Sequence, residues 1–346
     1  MRRAGTSTSS TSPGLSAPNG GEGMEKIMAD PHRIDVHHHI VPPRWLAEER
    51  ERMAGVAIGW QTVAEWTPEK SLEAMDRNGV ATAVTSVSTH IVRPNEAERS
   101  ASLARDCNEF ATRIKGDHKG RFGTFALLPL PHVDACLKEI AYAGDVLKVD
   151  GFKMQTNYET QWPGDPAFAP VFDELNRRKA TVFFHPTVAG CCKGLLPGVN
   201  EPLMEYPFDT TRAIASLLFN GTFMRCPDVK FIFAHGGGTM PFLANRIGGL
   251  VRGSKELAAK LPNGIVPVLR KLNFDVVSVT NKPAWAALTS LTTPQQLLFG
   301  SDIPYMTIEG TVTELAQMGL SAAEIRAVEC DNAVKLMPSL AMVPAR

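Results

Sequence analysis

The sequence predicts an α/β fold, a closed parallel (β/α)8 barrel of the TIM type, on two observations. Short apolar segments typical of buried strands alternate with helical segments from Arg33 onward, and eight such strands can be counted. Metal-binding side chains directly follow several of these strands. Because such a barrel carries its chemistry at the carboxyl ends of its strands, both observations predict the same architecture.

Length and composition favour one large domain preceded by a tail. The chain has 346 residues, of which 44% are hydrophobic and 21% charged, so a sizeable core is expected. Residues 1–30 are rich in Ser, Thr, Gly and Pro without apolar periodicity, which predicts a disordered tail. Residues 31–346 are then expected to form a single catalytic barrel.

Charge and cysteine usage narrow the partners and the compartment. The formal net charge is +0 and the pI is about 7.1, which gives no electrostatic indication of nucleic acid or a membrane surface. No run of about 18 apolar residues is present, so we expect no membrane-spanning helix. The six cysteines are scattered, without a C-x-x-C pair or a secretory segment, and this predicts a reduced cytoplasmic protein.

The first half of the chain supplies four predicted strand–helix units. A strand from Arg33 is followed by a loop rich in aromatic residues, through Trp45 and Trp66. Thr67 as N-cap and Pro68 as first residue then begin a helix that ends at Asn78. The other predicted strands span residues 81–87, 122–127 and 151–154, and the other predicted helices span 96–115, 133–145 and 168–178.

The second half repeats the pattern with longer connections. A long loop is predicted over residues 187–208, after which Asp209 is expected to cap a helix that ends near residue 219. The predicted strands span residues 181–184, 230–234, 272–277 and 296–299. Predicted helices lie within 241–271, from about 283, and over 312–318 and 322–336.

The first strand ends in three consecutive histidines. Since side chains on a strand alternate between its faces, His37 and His39 are expected to share one face and His38 the other. Two imidazoles on one face can bind one metal ion, provided that other parts of the chain complete the ligand set.

Three later predicted strands end in residues of the same kind. These are His185 in F-F-H-P, His235 in F-A-H-G-G-G and Asp302 in F-G-S-D-I-P. Three histidines and a carboxylate suit a divalent ion such as zinc with one position left open, so we predict His37, His39, His185 and Asp302 as ligands. His235 is expected just outside, as a proton-transfer group. A single histidine after a strand more often serves packing, so the prediction depends on the joint pattern.

Two competing interpretations use some of the same residues. H-G-G-G, together with the cysteine-containing segment 190–194, is similar to the oxyanion and nucleophile segments of lipase-like hydrolases. The order along the chain is reversed, however, and no histidine follows His235. A two-metal site would need a modified lysine at the end of strand four. Lys153 lies on that strand but three residues before the loop, so we predict one metal ion per chain.

The segments I-D-V-H-H-H, F-F-H-P, F-A-H-G-G-G and F-G-S-D-I-P resemble those of a known family. It is the amidohydrolase-related family of metal-dependent decarboxylases that includes aminocarboxymuconate-semialdehyde decarboxylase. The resemblance extends from Arg33 to Leu336 and implies a barrel of the metal-dependent hydrolase type with one divalent ion, zinc or manganese. It also implies non-oxidative loss of carbon dioxide from a carboxylated aromatic or enol-type substrate.

The resemblance also implies roles for individual residues. The family's metal ligands fall on His37, His39, His185 and Asp302, and its acid–base histidine falls on His235. Arg246 matches a substrate-binding arginine that reaches the site of the neighbouring subunit in the semialdehyde decarboxylases, which implies a homodimer. A solvated charge on a helix face is the alternative interpretation of Arg246.

The chain departs from the semialdehyde decarboxylases ahead of Trp66-Thr67-Pro68. Those enzymes place a carboxylate-binding arginine in this loop, but residues 57–61 contain none. A substrate with a single carboxylate on a more apolar ring is therefore expected, such as a salicylate-type acid like 6-methylsalicylate. Trp60 and Phe208 are candidates for lining the ring pocket.

These observations predict a mononuclear metal-dependent decarboxylase of a hydroxylated aromatic acid. The proton that replaces the carboxylate would be relayed through Asp302 or His235. Two alternatives stay open. The same ligands could serve a hydrolase that opens a lactone or an amide, and the barrel could bind a metal or a small acid without catalysis.

Overall fold

The protein is described by a computed structural model that covers residues 31–56, 59–89 and 92–341. The predicted disordered tail, residues 1–30, lies outside these residues. Eight parallel strands form one sheet whose order follows the chain. The strands are β1 Arg33–Ile40, β2 Val80–Val87, β3 Phe122–Leu127, β4 Gly151–Gln155, β5 Thr181–His185, β6 Lys230–Phe233, β7 Asn273–Asp275 and β8 Leu297–Leu298.

Helices connect these strands and surround the sheet. They are α1 Pro43–Val56, α2 Trp60–Ala64, α3 Pro68–Arg77, α4 Ala97–Asp117, α5 Val133–Tyr142, α6 Ala169–Arg177, α7 Glu201–Asn220, α8 Thr222–Arg225, α9 Met240–Gly253, α10 Lys255–Lys260, α11 Val266–Leu269, α12 Lys282–Leu291, α13 Ile308–Leu315, α14 Ala322–Arg326 and α15 Asn332–Leu336. Within the described residues, no helix is both long enough and apolar enough to cross a membrane.

The sheet closes between β1 and the segment that follows β8. The backbone N–H of Asp302 donates to the carbonyl of His37 at 2.7 Å. The Ser301 hydroxyl donates to the Asp35 carboxylate at 2.6 Å. Eight parallel strands with helices between them therefore form a nearly closed barrel, and the predicted fold class is confirmed.

A β-bulge in β1 directs His37 and His39 toward the barrel interior. Asp35 and His38 are three residues apart, but their partners on β2 are only two apart. The extra residue lets both Val36 and His37 face inward, since Val36 belongs to the inner core and His37 packs against Phe183 with ring centroids 5.0 Å apart. Simple alternation from Val36 would have pointed His38 inward instead.

The sequence signals for helix starts explain several boundaries. The Thr67 hydroxyl accepts the N–H of Lys70, and Pro68 occupies the first turn of α3, as predicted. Ser321 and Glu324 form a capping box at α14, where each side chain accepts the other residue's backbone N–H.

The predicted aromatic-rich loop after β1 is wrong, because that segment contains α1 and α2. Trp45 of α1 is fully buried and donates its indole N–H to the Thr89 carbonyl at 3.2 Å. Tertiary packing of this tryptophan against the barrel mouth stabilises a helix that the local pattern does not reveal.

The predicted loop over residues 187–208 is also too long, because α7 begins at Glu201 with Pro202 in its first turn. Asp209 is therefore not a helix cap. It lies inside α7, fully buried, and accepts hydrogen bonds from the side chains of Asn157 at 2.6 Å and Trp162 at 2.9 Å. These bonds satisfy the buried carboxylate and attach α7 to the segment after β4.

Candidate active site

Four of the predicted site residues meet at the carboxyl ends of the strands. His37 and His39 come from β1, His185 ends β5, and Asp302 follows β8. One ligand atom from each lies within 4.8 Å of the other three. His39 Nε2 lies 3.1 Å from the Nε2 atoms of His37 and His185, and 3.1 Å from Asp302 Oδ1. The structure thus brings together side chains that are separated by up to 265 residues of sequence.

The spacing of these atoms fits a small divalent cation. Ligands bound tetrahedrally at about 2.0–2.2 Å would lie about 3.3 Å from one another, and His37 Nε2 lies 3.3 Å from Asp302 Oδ1. Asp302 Oδ1 is buried and, within the described residues, makes no well-aligned hydrogen bond. Three imidazole nitrogens and a carboxylate oxygen form a ligand set suited to zinc or manganese.

Two of the histidines have lowered pKa values, which favour the neutral form that binds a cation. Burial lowers the pKa of His39 to about 4. Burial, together with the charges of His39 and His37, also holds the pKa of His185 well below its ordinary value. Both imidazoles are therefore neutral near pH 7, which is the form that binds metal ions.

The third histidine behaves in the opposite way. Burial lowers the pKa of His37, but the carboxylates of Asp302 and Asp275 outweigh it and raise this pKa to about 10. Burial opposes ionisation of Asp302, yet His37 and a hydrogen bond from His235 keep its pKa well below the ordinary value. Without a bound cation, His37 is therefore a positively charged imidazolium beside the Asp302 carboxylate.

Asp275 orients two of the site histidines, although it is not among the residues predicted from the sequence. Its Oδ2 lies 2.7 Å from His37 Nδ1, and its Oδ1 accepts the backbone N–H of His235 at 2.8 Å. Donation from Nδ1 to this carboxylate leaves Nε2 of His37 directed at the other ligands. Asp275 ends β7 after an apolar residue, so the rule that identified Asp302 also applies to it.

Asp35 and His38 support the site from the outer side of β1. The Asp35 carboxylate accepts the backbone N–H groups of His37 at 3.0 Å and Ser301 at 3.1 Å. His38 points away from the ligands, with Nδ1 3.1 Å from Asp35 and Nε2 2.9 Å from the Ser71 hydroxyl. Its interactions are those of a buried structural histidine.

His235 stands beside the ligand group, with Nε2 3.4 Å from Asp302 Oδ2. Both residues have left-handed backbone conformations, with φ of 54° and 61°, which are uncommon outside glycine and often mark functional sites. The glycines after His235 allow the turn, because a Cβ on Gly238 would lie 2.1 Å from the Pro207 carbonyl oxygen. The H-G-G-G segment therefore serves backbone geometry.

A cavity of about 420 Å³ opens above the ligand group. Its lining is mostly apolar, and its described residues include no Lys or Arg. They are Met53, Ser88, His185, Asn200, Pro202, Leu203, Tyr206, Pro207, His235, Gly238, Ser278, Val279, Asp302, Tyr305 and Met306. The Tyr206 and Tyr305 rings flank the ligands, 5.9 Å from the His185 ring and 5.6 Å from the His39 ring.

Three predicted residues do not line this cavity. Trp60 packs against a hydrophobic cluster but is not itself a lining residue, and Phe208 is 39% exposed on α7, so both ring-pocket assignments are wrong. The orientations of the Trp60 and Phe208 side chains depend on α2 and on the first turns of α7. The sequence did not predict either of these helical segments. Arg246 is exposed on α9 and is not among the residues that line the cavity.

Lys153 does not join the ligand group. It is fully buried, and its Nζ donates to the Ser88 carbonyl at 3.0 Å. Burial lowers the pKa of this lysine to about 7. Within the described residues, four His and Asp side chains form the group that could hold an ion, and Lys153 binds a backbone carbonyl instead.

Comparison with known proteins identifies related sequences. Residues 34–338 match the family described as amidohydrolase. The decarboxylase YanB of Aspergillus niger is 36% identical over 328 residues, 90% of this chain and 88% of that protein. The 6-methylsalicylic acid decarboxylase of Penicillium expansum is 33% identical over 277 residues, 79% of this chain and 85% of that protein.

The fold also matches solved structures. The crystal structure of 2,6-dihydroxybenzoate decarboxylase with 2,6-dihydroxybenzoate superposes with a TM-score of 0.78 at 18% identity, over 89% of this chain and 99% of that chain. At this identity the likeness concerns the barrel alone, whereas the family match covers most of the sequence. The chain belongs to the amidohydrolase-related decarboxylase family.

Proposed function

We propose that this chain is a metal-dependent decarboxylase that releases carbon dioxide from a hydroxylated aromatic monocarboxylic acid. The observation that carries the proposal is the group of four ligand-type side chains beside His235 at the inner end of an apolar cavity. The relatives that are named decarboxylases support a metal-dependent carboxy-lyase as the enzyme class.

His37, His39, His185 and Asp302 would hold one divalent ion, with zinc as the preferred ion and manganese as the alternative. When bound, the ion would hold the substrate carboxylate and an adjacent oxygen and would stabilise negative charge on oxygen. Asp275 keeps the His37 ring in the orientation that this binding requires.

The cavity favours a small aromatic acid with one carboxylate. Its described lining includes Met53, Leu203 and Val279 but no cationic side chain, so a second carboxylate would be buried without a counter-charge. A salicylate-type acid such as 6-methylsalicylate satisfies this constraint, because its ring and methyl group are apolar. The relative in Penicillium expansum, named for 6-methylsalicylic acid, supports the choice.

His235 is positioned to handle the proton of the reaction. It lines the cavity, and its Nε2 faces Asp302 Oδ2 at 3.4 Å, so a proton can pass between the two side chains. Protonation of the ring carbon that bears the carboxylate precedes cleavage of the carbon–carbon bond, whose electrons return to the ring. One proton is consumed and one carbon dioxide is released for each substrate.

A homodimer is part of the proposal, and α9 offers a surface for it. Phe242 is 81% exposed and Leu250 is 59% exposed, and Arg246 lies between them at a spacing of four residues, on the same helix face. An exposed apolar pair around a cation is typical of an interface centre.

Six free cysteines agree with the proposed cytoplasmic location.

We expect a dimer in sedimentation equilibrium, and we expect Arg246→Ala to raise KM more than it lowers kcat, because Arg246 would contact substrate in the partner. Lys255→Ala is a matched control, since Lys255 is an exposed cation at the start of the next helix, α10. A monomer with full activity would contradict this proposal.

Purified protein with bound zinc or manganese should convert 6-methylsalicylate or salicylate to the corresponding phenol and carbon dioxide. Benzoate, which lacks the adjacent oxygen, and hydroxylated dicarboxylates should react much more slowly. Carbon dioxide release and lactone hydrolysis are measured in parallel, with a chelator-treated sample as control. Lactone hydrolysis without decarboxylation would favour the hydrolase alternative, and no turnover of any compound would favour a non-catalytic barrel.

His235→Asn should lower kcat by about 10²- to 10⁴-fold, the usual contribution of a general acid–base group. The metal content, measured by elemental analysis, should stay the same because His235 lies outside the ligand group. His118→Asn, at the end of α4, is the control and should retain activity. Unchanged turnover in His235→Asn would exclude its role in proton transfer.

The raised pKa of His37 predicts that metal binding releases a proton. Below its pKa of about 10 this histidine is protonated and competes with the metal, so affinity should rise with pH. His39, with its pKa of about 4, is already neutral. Between about pH 6 and 8 the affinity should rise about tenfold per pH unit.

Calorimetry in buffers of different ionisation enthalpy counts the protons released, and we expect about one per metal ion. Asp275→Asn removes one of the two carboxylates that raise the pKa of His37, so it should release fewer protons at the same pH. Metal binding without proton release in the unmodified protein would contradict the protonated state assigned to His37.

A further inference from the structure

Two adjacent cysteines lie between the ligand strand β5 and helix α7. Cys191 and Cys192 occupy a short 3₁₀ turn, Gly190–Cys192, and their Sγ atoms are 3.0 Å apart. Cys191 is exposed to solvent, whereas Cys192 is only 7% exposed. The proposed decarboxylation uses neither thiol.

The other cysteines of the chain differ from this pair. All six cysteines lie within the described residues, and the remaining four are buried. Burial raises the pKa of the Cys136 thiol well above its ordinary value and also raises the pKa values of Cys226 and Cys330. Buried thiols of this kind are unreactive. Cys191 is therefore a thiol that both contacts a second thiol and is exposed to solvent.

The two thiols are not equivalent. The hydrogen bond between the two thiols is the main cause that raises the pKa of Cys192 to about 11, so Cys192 keeps its proton near neutral pH. Cys191 is the sulfur that a reagent in solution can reach, and Cys192 Sγ lies 3.0 Å behind it. Cys191 is thus suited to attack a disulfide in solution, and Cys192 is suited to resolve the mixed disulfide that results.

We propose that Cys191 and Cys192 form a redox modification site, which a low-molecular-weight disulfide such as oxidised glutathione converts to an intrachain disulfide between neighbouring residues. The Cys191 thiol loses its proton, its thiolate attacks the glutathione disulfide, and one glutathione leaves and takes up a proton. Cys192 then loses its proton and attacks the Cys191 sulfur, which releases the second glutathione. Two protein thiols are oxidised, and one glutathione disulfide is reduced.

The geometry supports both formation and reversal of this bond. A disulfide has a bond length of about 2.05 Å, so the two sulfur atoms need to approach by only about 1 Å. Neighbouring α-carbons are about 3.8 Å apart, which is less than the usual separation of about 4.4–6.8 Å across a disulfide. The ring is therefore strained, and strained, exposed disulfides are readily reduced.

The turn also connects directly to the cavity wall. The backbone N–H of Gly194 donates to the Glu201 carboxylate at 2.6 Å, which joins this segment to the first turn of α7. Pro202 and Leu203 of the same turn line the cavity. The modification would therefore act on the segment next to the active site, although the inference does not depend on which reaction the site catalyses.

The test incubates the fully reduced protein with oxidised glutathione and follows its intact mass, its free thiol count and its cysteine-containing peptides. We expect the loss of two hydrogens and two thiols, no retained glutathione, and a bond that maps to Cys191 and Cys192. Dithiothreitol should restore both thiols. Retained glutathione, an unchanged mass, or a disulfide at another cysteine would overturn the proposal.

Two single substitutions separate the roles of the thiols. Cys192→Ser removes the resolving thiol, so the variant should keep one glutathione as a stable mixed disulfide at Cys191. Cys191→Ser removes the exposed thiol, so it should react at least about tenfold more slowly than the unmodified protein. Cys226→Ser is the matched control for loss of a buried thiol and should still form the disulfide. Equal behaviour of the first two variants would contradict the assigned order of attack.

Discussion

The contact between β1 and the segment after β8 is the constraint on which the rest of the structure depends. His37 and Asp302 lie at opposite ends of the folded sequence, and they meet only because the barrel closes there, through a backbone hydrogen bond of 2.7 Å. The contact requires glycine at position 300, since a Cβ there would lie 2.8 Å from the Cβ of His37. An open sheet would leave β1 with two histidines and no carboxylate, so barrel closure and assembly of the candidate metal site are the same event.

The site concentrates buried ionisable groups that would be costly elsewhere in a protein. Asp275, Asp302 and His37 are almost completely enclosed, and removing charges from water is unfavourable unless each has partners. Here the carboxylates pair with imidazoles and with backbone N–H groups, as at Asp275, which accepts that of His235. The left-handed conformations of His235 and Asp302 add strain that the surrounding contacts maintain. This arrangement of buried charges therefore suits the binding of a cation better than it suits the stability of the folded chain.

The sequence predicted the parts of this site that follow from strand ends. Each ligand comes after a short apolar segment, and the barrel rule places such residues on one rim, so His185 and Asp302 could be identified without coordinates. Asp275 also ends a strand, so the rule applied to histidines at strand ends should be applied to carboxylates as well. The β-bulge in β1 could not be predicted, because it depends on the register of β1 with β2. Simple alternation correctly put His37 and His39 on the same face, but it could not tell which face points into the barrel.

The cavity wall was harder to predict because it comes from connecting segments whose helices depend on tertiary packing. Trp60 and Phe208 were misassigned for this reason, whereas Met53 and Tyr206 were missed. This origin of the wall has an evolutionary consequence. Strands fix the ligands, while α1 and the segment from residue 187 to α7 shape the space above them, so insertions or exchanges in these connections can alter ring preference and leave cation binding intact. Paralogues with one chemistry and divergent substrates would arise readily from such a scaffold.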